Sequence, residues 1–270
     1  MKKVFPLLTL LTFSLIPLAN EFWIQPEKFI YKWNETINIR FYTGEDFEEI
    51  KKDDGSSRID ALVIYFDDVK DDMSDYITDE KGDSIQLKLL NEGTAQVVFS
   101  SKNIKLKMEP AEFNTYLLKR ELSEILAYRK RRNELDSSGN FYHQQCAKTI
   151  FQVGNRYNNT YKLETSAPLD FIPQQNPYNL NDADSLEVKI LFQNEPLANH
   201  LIRIKQKLDL KIFQFSLYSD KMGIIKIPVA SYGVWMLNAT IIEKLPIDNN
   251  SVSSETRWQS FTGSLTWGYQ

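Results

Sequence analysis

The chain has 270 residues, 42% of them hydrophobic and 25% charged, with a formal net charge of −4. That mildly acidic balance excludes the basic footprint of a nucleic-acid binder, and a single cysteine excludes an intramolecular disulfide. The length suits two modest domains or one large β domain.

Residues 1–19 read as a secretory signal peptide. Lys2 and Lys3 form a basic start, Val4 to Ala19 is mostly apolar, and Pro17 and Ala19 precede the change to polar sequence. The apolar run is too short to span a bilayer, and no second run follows it. Cleavage after Ala19 removes both lysines and leaves a net charge of −6. Secretion without disulfides points to a bacterial periplasm or cell surface. Cys146, in the apolar stretch CAKTIF, reads as a small buried hydrophobe.

Strands dominate the chain beyond the leader. INIRFYTG (37–44), ALVIYFDD (61–68), SIQLKLL (84–90) and TAQVVFSS (94–101) alternate or run apolar between turn residues. Asp67 to Asp83 is rich in carboxylates but lacks calcium-loop spacing, and reads as a solvated loop. One long helix is expected over about 110–135. Pro110 and Glu112 mark its start, and Phe113, Leu117, Ile125 and Leu126 form its apolar stripe. Arg129, Lys130, Arg131 and Arg132 suit the negative end of its dipole as a solvated tail. LETSAPLDFIPQQNPYNL (163–180) reads as an extended connector. Strands are then expected at 185–192, 200–206, 211–218, 224–229, 233–242 and 261–269, spaced as in an antiparallel sandwich.

The fold class is therefore mainly β, with two β-sandwich-like domains. The N-terminal domain covers 20–175 and contains the helix, and an immunoglobulin-like sandwich covers 176–270. No catalytic constellation stands out. Two histidines, no HExxH, no CxxC, no GxSxG and no P-loop are present. His143 reads as a hydrogen-bonded or surface residue and His200 as exposed on a turn. Core packing accounts for most of the five tryptophans.

Several stretches carry a resemblance. EFWIQPEKF at the expected mature start, PAEFNTYLLKRELSEIL, YHQQCAKTIFQVG, the run LDFIPQQNPYNLNDADSLEVKILFQNEPLANHLIRI, and the closing SDKMGIIKIPVASYGVWMLNATII with TRWQSFTGSLTW occur in one order. In that order they resemble the periplasmic domain-of-unknown-function 4198 family, often called NikM-like after nickel-uptake components. The resemblance implies two β-rich domains, the second like an immunoglobulin or carboxypeptidase-regulatory fold, and export to the periplasm. In some members it also implies a link to transition-metal uptake. Such members carry a histidine just before the Glu/Asp-Phe-Trp and another after the Gly-x-Trp. This chain has Asn20 and Ile241 at those places. What remains as metal-ligand candidates is Asn20, Glu21 and His143, with nickel or cobalt as the implied cation.

The expected function is that of an exported, non-enzymatic binding or accessory protein. Its partner would be an envelope protein or a small ligand, with no nucleic acid and no transmembrane segment after cleavage. Two alternatives stay open. One is a nickel or cobalt uptake component with an unusual site, and the other is a carboxylate-based envelope or carbohydrate-active enzyme.

Overall fold

The computed structural model describes residues 21–52, 58–77, 83–181, 184–245 and 258–269. The expected signal peptide and Asn20 lie outside the described residues. The strands, in chain order, are β1 (Glu21–Pro26), β2 (Ile30–Tyr31), β3 (Thr36–Glu45), β4 (Glu48–Lys52), β5 (Ile59–Phe66), β6 (Val69–Asp72), β7 (Ser84–Lys88), β8 (Gly93–Ser101) and β9 (Ile104–Met108). Helices α1 (Pro110–Lys119) and α2 (Ser123–Arg131) come next. They are followed by β10 (Gly139–Val153), β11 (Leu169–Pro173), β12 (Ser185–Phe192), β13 (Glu195–Pro196), β14 (Leu201–Leu208), β15 (Lys211–Tyr218), β16 (Ile224–Pro228), β17 (Val234–Lys244) and β18 (Trp258–Gly268). The chain is mainly β, as its alternating patterns predict.

Three sheets form the body. The large one runs β15-β14-β17-β18-β10-β8-β5-β6, with β2 and β9 also paired to β10. A four-stranded sheet of β1, β3, β4 and β7 covers one face of it, and a second of β11, β12, β13 and β16 covers the other. Phe22, Ile24, Ile37, Ile39 and Phe41 of the first small sheet meet Val97, Phe99, Phe151 and Met236. Phe171, Leu186, Val188, Ile190, Ile225 and Ile227 of the second meet Ile202, Ile204, Leu237, Leu265 and Trp267. Alternate residues of one strand thus enter two different cores, because successive side chains point to opposite faces.

The large sheet is continuous across the boundary expected at residues 175 and 176. β10 pairs in parallel with β18, from Phe141↔Trp258 to Thr149↔Thr266. The connector of 163–180 is also not wholly irregular, since β11 lies within it and pairs with β12.

The single helix expected over 110–135 is two helices. Glu121 takes a left-handed φ of 57°. The Leu122 amide donates to the Leu117 carbonyl at 2.9 Å and the Glu121 amide to Leu118 at 3.0 Å. That pair of bonds is a Schellman closure, normally built on glycine. Leu122 then turns inward toward the small core of Phe113, Tyr116, Leu117, Phe141, Ile242 and Trp258. The apolar contact of half-buried Leu122 with this core is the hydrophobic contact that commonly accompanies such a closure. The basic tail also differs from expectation, because Arg129 is buried. Its Nε donates to Asn114 Oδ1 at 3.1 Å and its Nη2 to the Ser137 carbonyl at 2.7 Å, with the guanidinium 4.2 Å above the Phe113 ring. Among the described residues no helix is long and apolar enough to cross a membrane.

Candidate functional site

The face of the large sheet beneath β1 and α1 is polar at its centre. Arg203 and Lys205 of β14, Asn238 and Thr240 of β17, Ser260 and Ser264 of β18, and His143 and Gln145 of β10 are all buried. Their register aligns them: Arg203 faces Asn238, Asn238 faces Ser264, and Ser260 faces His143. Glu21 from β1, Tyr116 from α1 and Arg120 directly after α1 close over this strip. Lys205 Nζ lies 2.6 Å from Glu21 Oε1 and 2.6 Å from Asp46 Oδ1. Arg120 Nη1 stands 3.8 Å from the same Glu21 oxygen. Arg203 Nη2 donates to the Lys119 carbonyl at 2.6 Å and lies 3.5 Å from Glu121.

Burying such ions costs several kcal/mol each before their attraction is counted. Their arrangement ties the first strand and the end of α1 to the sheet. Not every polar atom is satisfied. Glu21 Oε2, Asn238 Oδ1 and Ser264 Oγ are buried without a hydrogen-bond partner among the described residues. Buried polar atoms are usually paired; on the opposite face the indole nitrogens of Trp235 and Trp267 also lack a partner among the described residues.

Two of the three metal-ligand candidates, Glu21 and His143, lie on the same polar face but contact different residues: Glu21 meets Lys205, and His143 meets Ser260. Glu21 is 6% and His143 4% exposed. Arg120 stands beside Glu21, and its charge also acts on His143. Burial, aided by Arg58 and Arg120, depresses the His143 imidazole to about 4, so it is neutral at pH 7. Its Nδ1 lies 3.3 Å from Ser260 Oγ. A divalent cation at Glu21 would sit against Lys205 and Arg120. Each unit charge about 4 Å away opposes another by about 4 kcal/mol at an effective dielectric near 20. Among the described residues no three His, Cys, Asp or Glu side chains gather as a metal site. His200 directly follows the turn at 198–199 as expected, but it is half-buried rather than exposed, with Nε2 3.0 Å from the Thr240 carbonyl, and burial lowers its pKa. Cys146 is buried as expected, its thiol pushed up to about 12 by desolvation.

The polar strip opens to solvent at a cleft of about 360 Å³ between the α1–α2 turn and the ends of β14 and β17. Arg120, Arg203 and Asn238 belong to its wall, as do the carboxylates of Glu121, Glu124 and Glu243. Leu122, Ile125, Leu201, Tyr218 and Ile242 supply apolar surface. No tryptophan lines it. The one large exposed tryptophan, Trp33, lies elsewhere, with its Nε1 donating to the Leu90 carbonyl at 2.9 Å. None of Arg120, Arg203, Lys205 or Asn238 stands out as a functional residue from the sequence alone. The signal was present in LIRIKQK and MLNATII, where polar residues at alternate positions share one face of strands that are otherwise apolar.

A family model described as a domain of unknown function (DUF4198) matches residues 18–243. No curated protein matches the chain. Among solved structures, a Salmonella alpha-2-macroglobulin mutant is 10% identical with a TM-score of 0.24. That match covers 93% of this chain but only 15% of the macroglobulin. Murine CEACAM1b is 8% identical with a TM-score of 0.22, over 92% of this chain and 98% of that one. Likenesses at those scores carry no argument about fold or function.

Proposed function

Because the chain belongs to the DUF4198 family, we propose that it is an exported, non-enzymatic binding or accessory protein of the bacterial cell envelope. The observation that carries this reading is the cleft of about 360 Å³ with Asn238 and Arg203 in its wall. Its volume lies within the roughly 300–1,000 Å³ of small-molecule sites, and it combines apolar walls with a few convergent polar groups. The basic, apolar, small-residue leader of 1–19 supports export. The chemistry of the buried titratable groups agrees with binding rather than turnover. His143 has no carboxylate partner among its described contacts, and the Cys146 thiol is held protonated.

The nickel-uptake reading has less support, since Glu21 is engaged by Lys205 and faces Arg120. A carbohydrate-active reading lacks a sugar platform, since the cleft carboxylates stand without a tryptophan. The test is expression of the full chain in a Gram-negative host, followed by cell fractionation and mass measurement. The expected product is periplasmic and begins within two residues of Asn20. Retention in the cytoplasm overturns export. Hydrolase or transferase turnover abolished by Glu124→Gln or Glu243→Gln overturns the non-enzymatic assignment.

A further inference from the structure

The large sheet ends at β15, whose one strand neighbour among the described residues is β14. Which of its backbone groups are free follows from the hairpin. β14 and β15 are joined by the two-residue turn Asp209–Leu210, so Leu208 and Lys211 close it as a hydrogen-bonded pair. Beyond the far end, the Ser219 amide donates to the His200 carbonyl at 2.9 Å. Bonding sides alternate along a strand, so the odd-numbered residues of β15 bond to β14. The N–H and C=O groups of Ile212, Gln214, Ser216 and Tyr218 point away from it, along the free edge.

Natural sheets blunt such edges with charge, shortness or proline. The opposite end of the same sheet is β6, four exposed residues reading VKDD. β4 reads EEIKK, and β13 is two residues long with Pro196 as one of them. β15 has none of these devices. It reads KIFQFSLY over eight residues, without proline, and its one charge is Lys211 at the first position. Apolar side chains also run on to this edge. Phe215 and Leu217 pack against the core beneath β11, β12 and β16 while half-buried, and Phe213 beside them is 52% exposed.

A second copy of the same strand fits the edge. In a two-fold antiparallel pairing a residue on the axis meets its own counterpart. With Phe215 on the axis, Ile212 meets Tyr218 and Gln214 meets Ser216 of the other copy. No other two-fold register gives every outward residue an outward partner. The same register sets Phe213 against Leu217 beside the Phe215 pair, which makes one apolar ladder on the core face. It also brings exposed Asp209 of one copy toward exposed Lys221 of the other.

We propose that two copies of this chain pair through β15, antiparallel about a two-fold axis at Phe215, so that the large sheet runs through both. The pairing goes beyond the binding reading and stands without it. A single strand pair is a small interface, so monomer and dimer should exchange with concentration.

The experiment uses protein recovered after expression of the full chain. Sedimentation is followed from micromolar to millimolar concentration, with amide exchange by NMR at both ends. The expected result is a shift from the monomer mass to twice that mass, with the Ile212, Gln214, Ser216 and Tyr218 amides exchanging fast when dilute and slowly when concentrated. Ser216→Pro removes an outward N–H and no bond to β14, so it should weaken the dimer at least about tenfold while the monomer stays folded by circular dichroism. Phe215→Cys should oxidise to a covalent dimer, because facing residues of a non-hydrogen-bonded pair lie within disulfide reach. Phe213→Cys, which faces Leu217, should not, and the native Cys146 is buried and does not compete. A monomer at every concentration would overturn the proposal. So would a dimer indifferent to Ser216→Pro, which would lie on another surface, or slow exchange of the outward amides in dilute protein, which would mean that this chain covers its own edge. Linking of Phe213→Cys as readily as Phe215→Cys would overturn the Phe215 axis.

Discussion

The two faces of β14, β17 and β18 are built from alternate residues of the same strands, yet they have opposite chemistry. Toward the sheet of β11, β12 and β16 they present Ile202, Ile204, Trp235, Leu237, Leu265 and Trp267. Toward β1 and α1 they present Arg203, Lys205, Asn238, Ser260 and Ser264. Both faces are buried. The first is held by apolar area, at roughly 25 cal/mol per Å² removed from water. The second is held by ions that must stay matched. A face that only had to be stable would be apolar, because well-packed hydrophobic groups commonly equal or better a buried ion pair. The polar face has given up that advantage, and it is the one that opens into the cleft.

Four measurements test this contrast. The largest effect is expected at Lys205. Lys205→Met leaves Glu21 and Asp46 without their shared cation, and should cost about 3–5 kcal/mol by urea unfolding. A cost under about 1 kcal/mol would mean that the ionic face is not organised around this lysine. On the other face, Leu237→Ala should cost about 2–5 kcal/mol, as a fully buried leucine does when a cavity replaces it. That loss should not vary with pH, unlike the next.

His143 supplies the pH dependence. Its folded pKa is depressed to about 4 from an ordinary 6.5, mainly by burial. The unfolded chain therefore takes up a proton near pH 6.5 while the native state resists until about pH 4. Stability is full above the unfolded value and falls as the pH drops between these limits, by about 3 kcal/mol. His143→Asn should flatten that slope in denaturation curves taken from pH 7 to pH 4. An unchanged slope would assign the loss to other groups. The smallest effect concerns the turn over the cleft. Glu121→Gly removes the strain of a left-handed glutamate and should stabilise by about 0.5–1 kcal/mol. The melting temperature reports it, and a fall instead would show that the Arg203–Glu121 contact outweighs the backbone term.

Much of the fold was legible in the sequence because a strand's two faces are written as alternation. The strands from INIRFYTG to KIFQFSLY and GVWMLNATII lie close to where that alternation and the turn residues predict them. The break at Glu121 was hidden, since neither glycine nor proline marks it and the apolar spacing continues through it. Arg129 was hidden for a related reason. A basic residue in a helix's last turn reads as a dipole partner, and only the fold shows Asn114 and Ser137 waiting for it.

Of the candidate ligands, Glu21 and His143 could be named from the chain, but not what surrounds them. Arg120, Lys205 and Ser260 reach them from distant segments. The β class, the family, the burial of the lone cysteine and most strand positions could be read from the chain, because all of them rest on local pattern. Tertiary structure alone decided the parallel pairing of β10 with β18, the identity of the layer over each face, and hence the place of the cleft. The reason is that alternation fixes which residues share a face, while what that face meets depends on pairings between strands more than a hundred residues apart, set by packing of the whole chain.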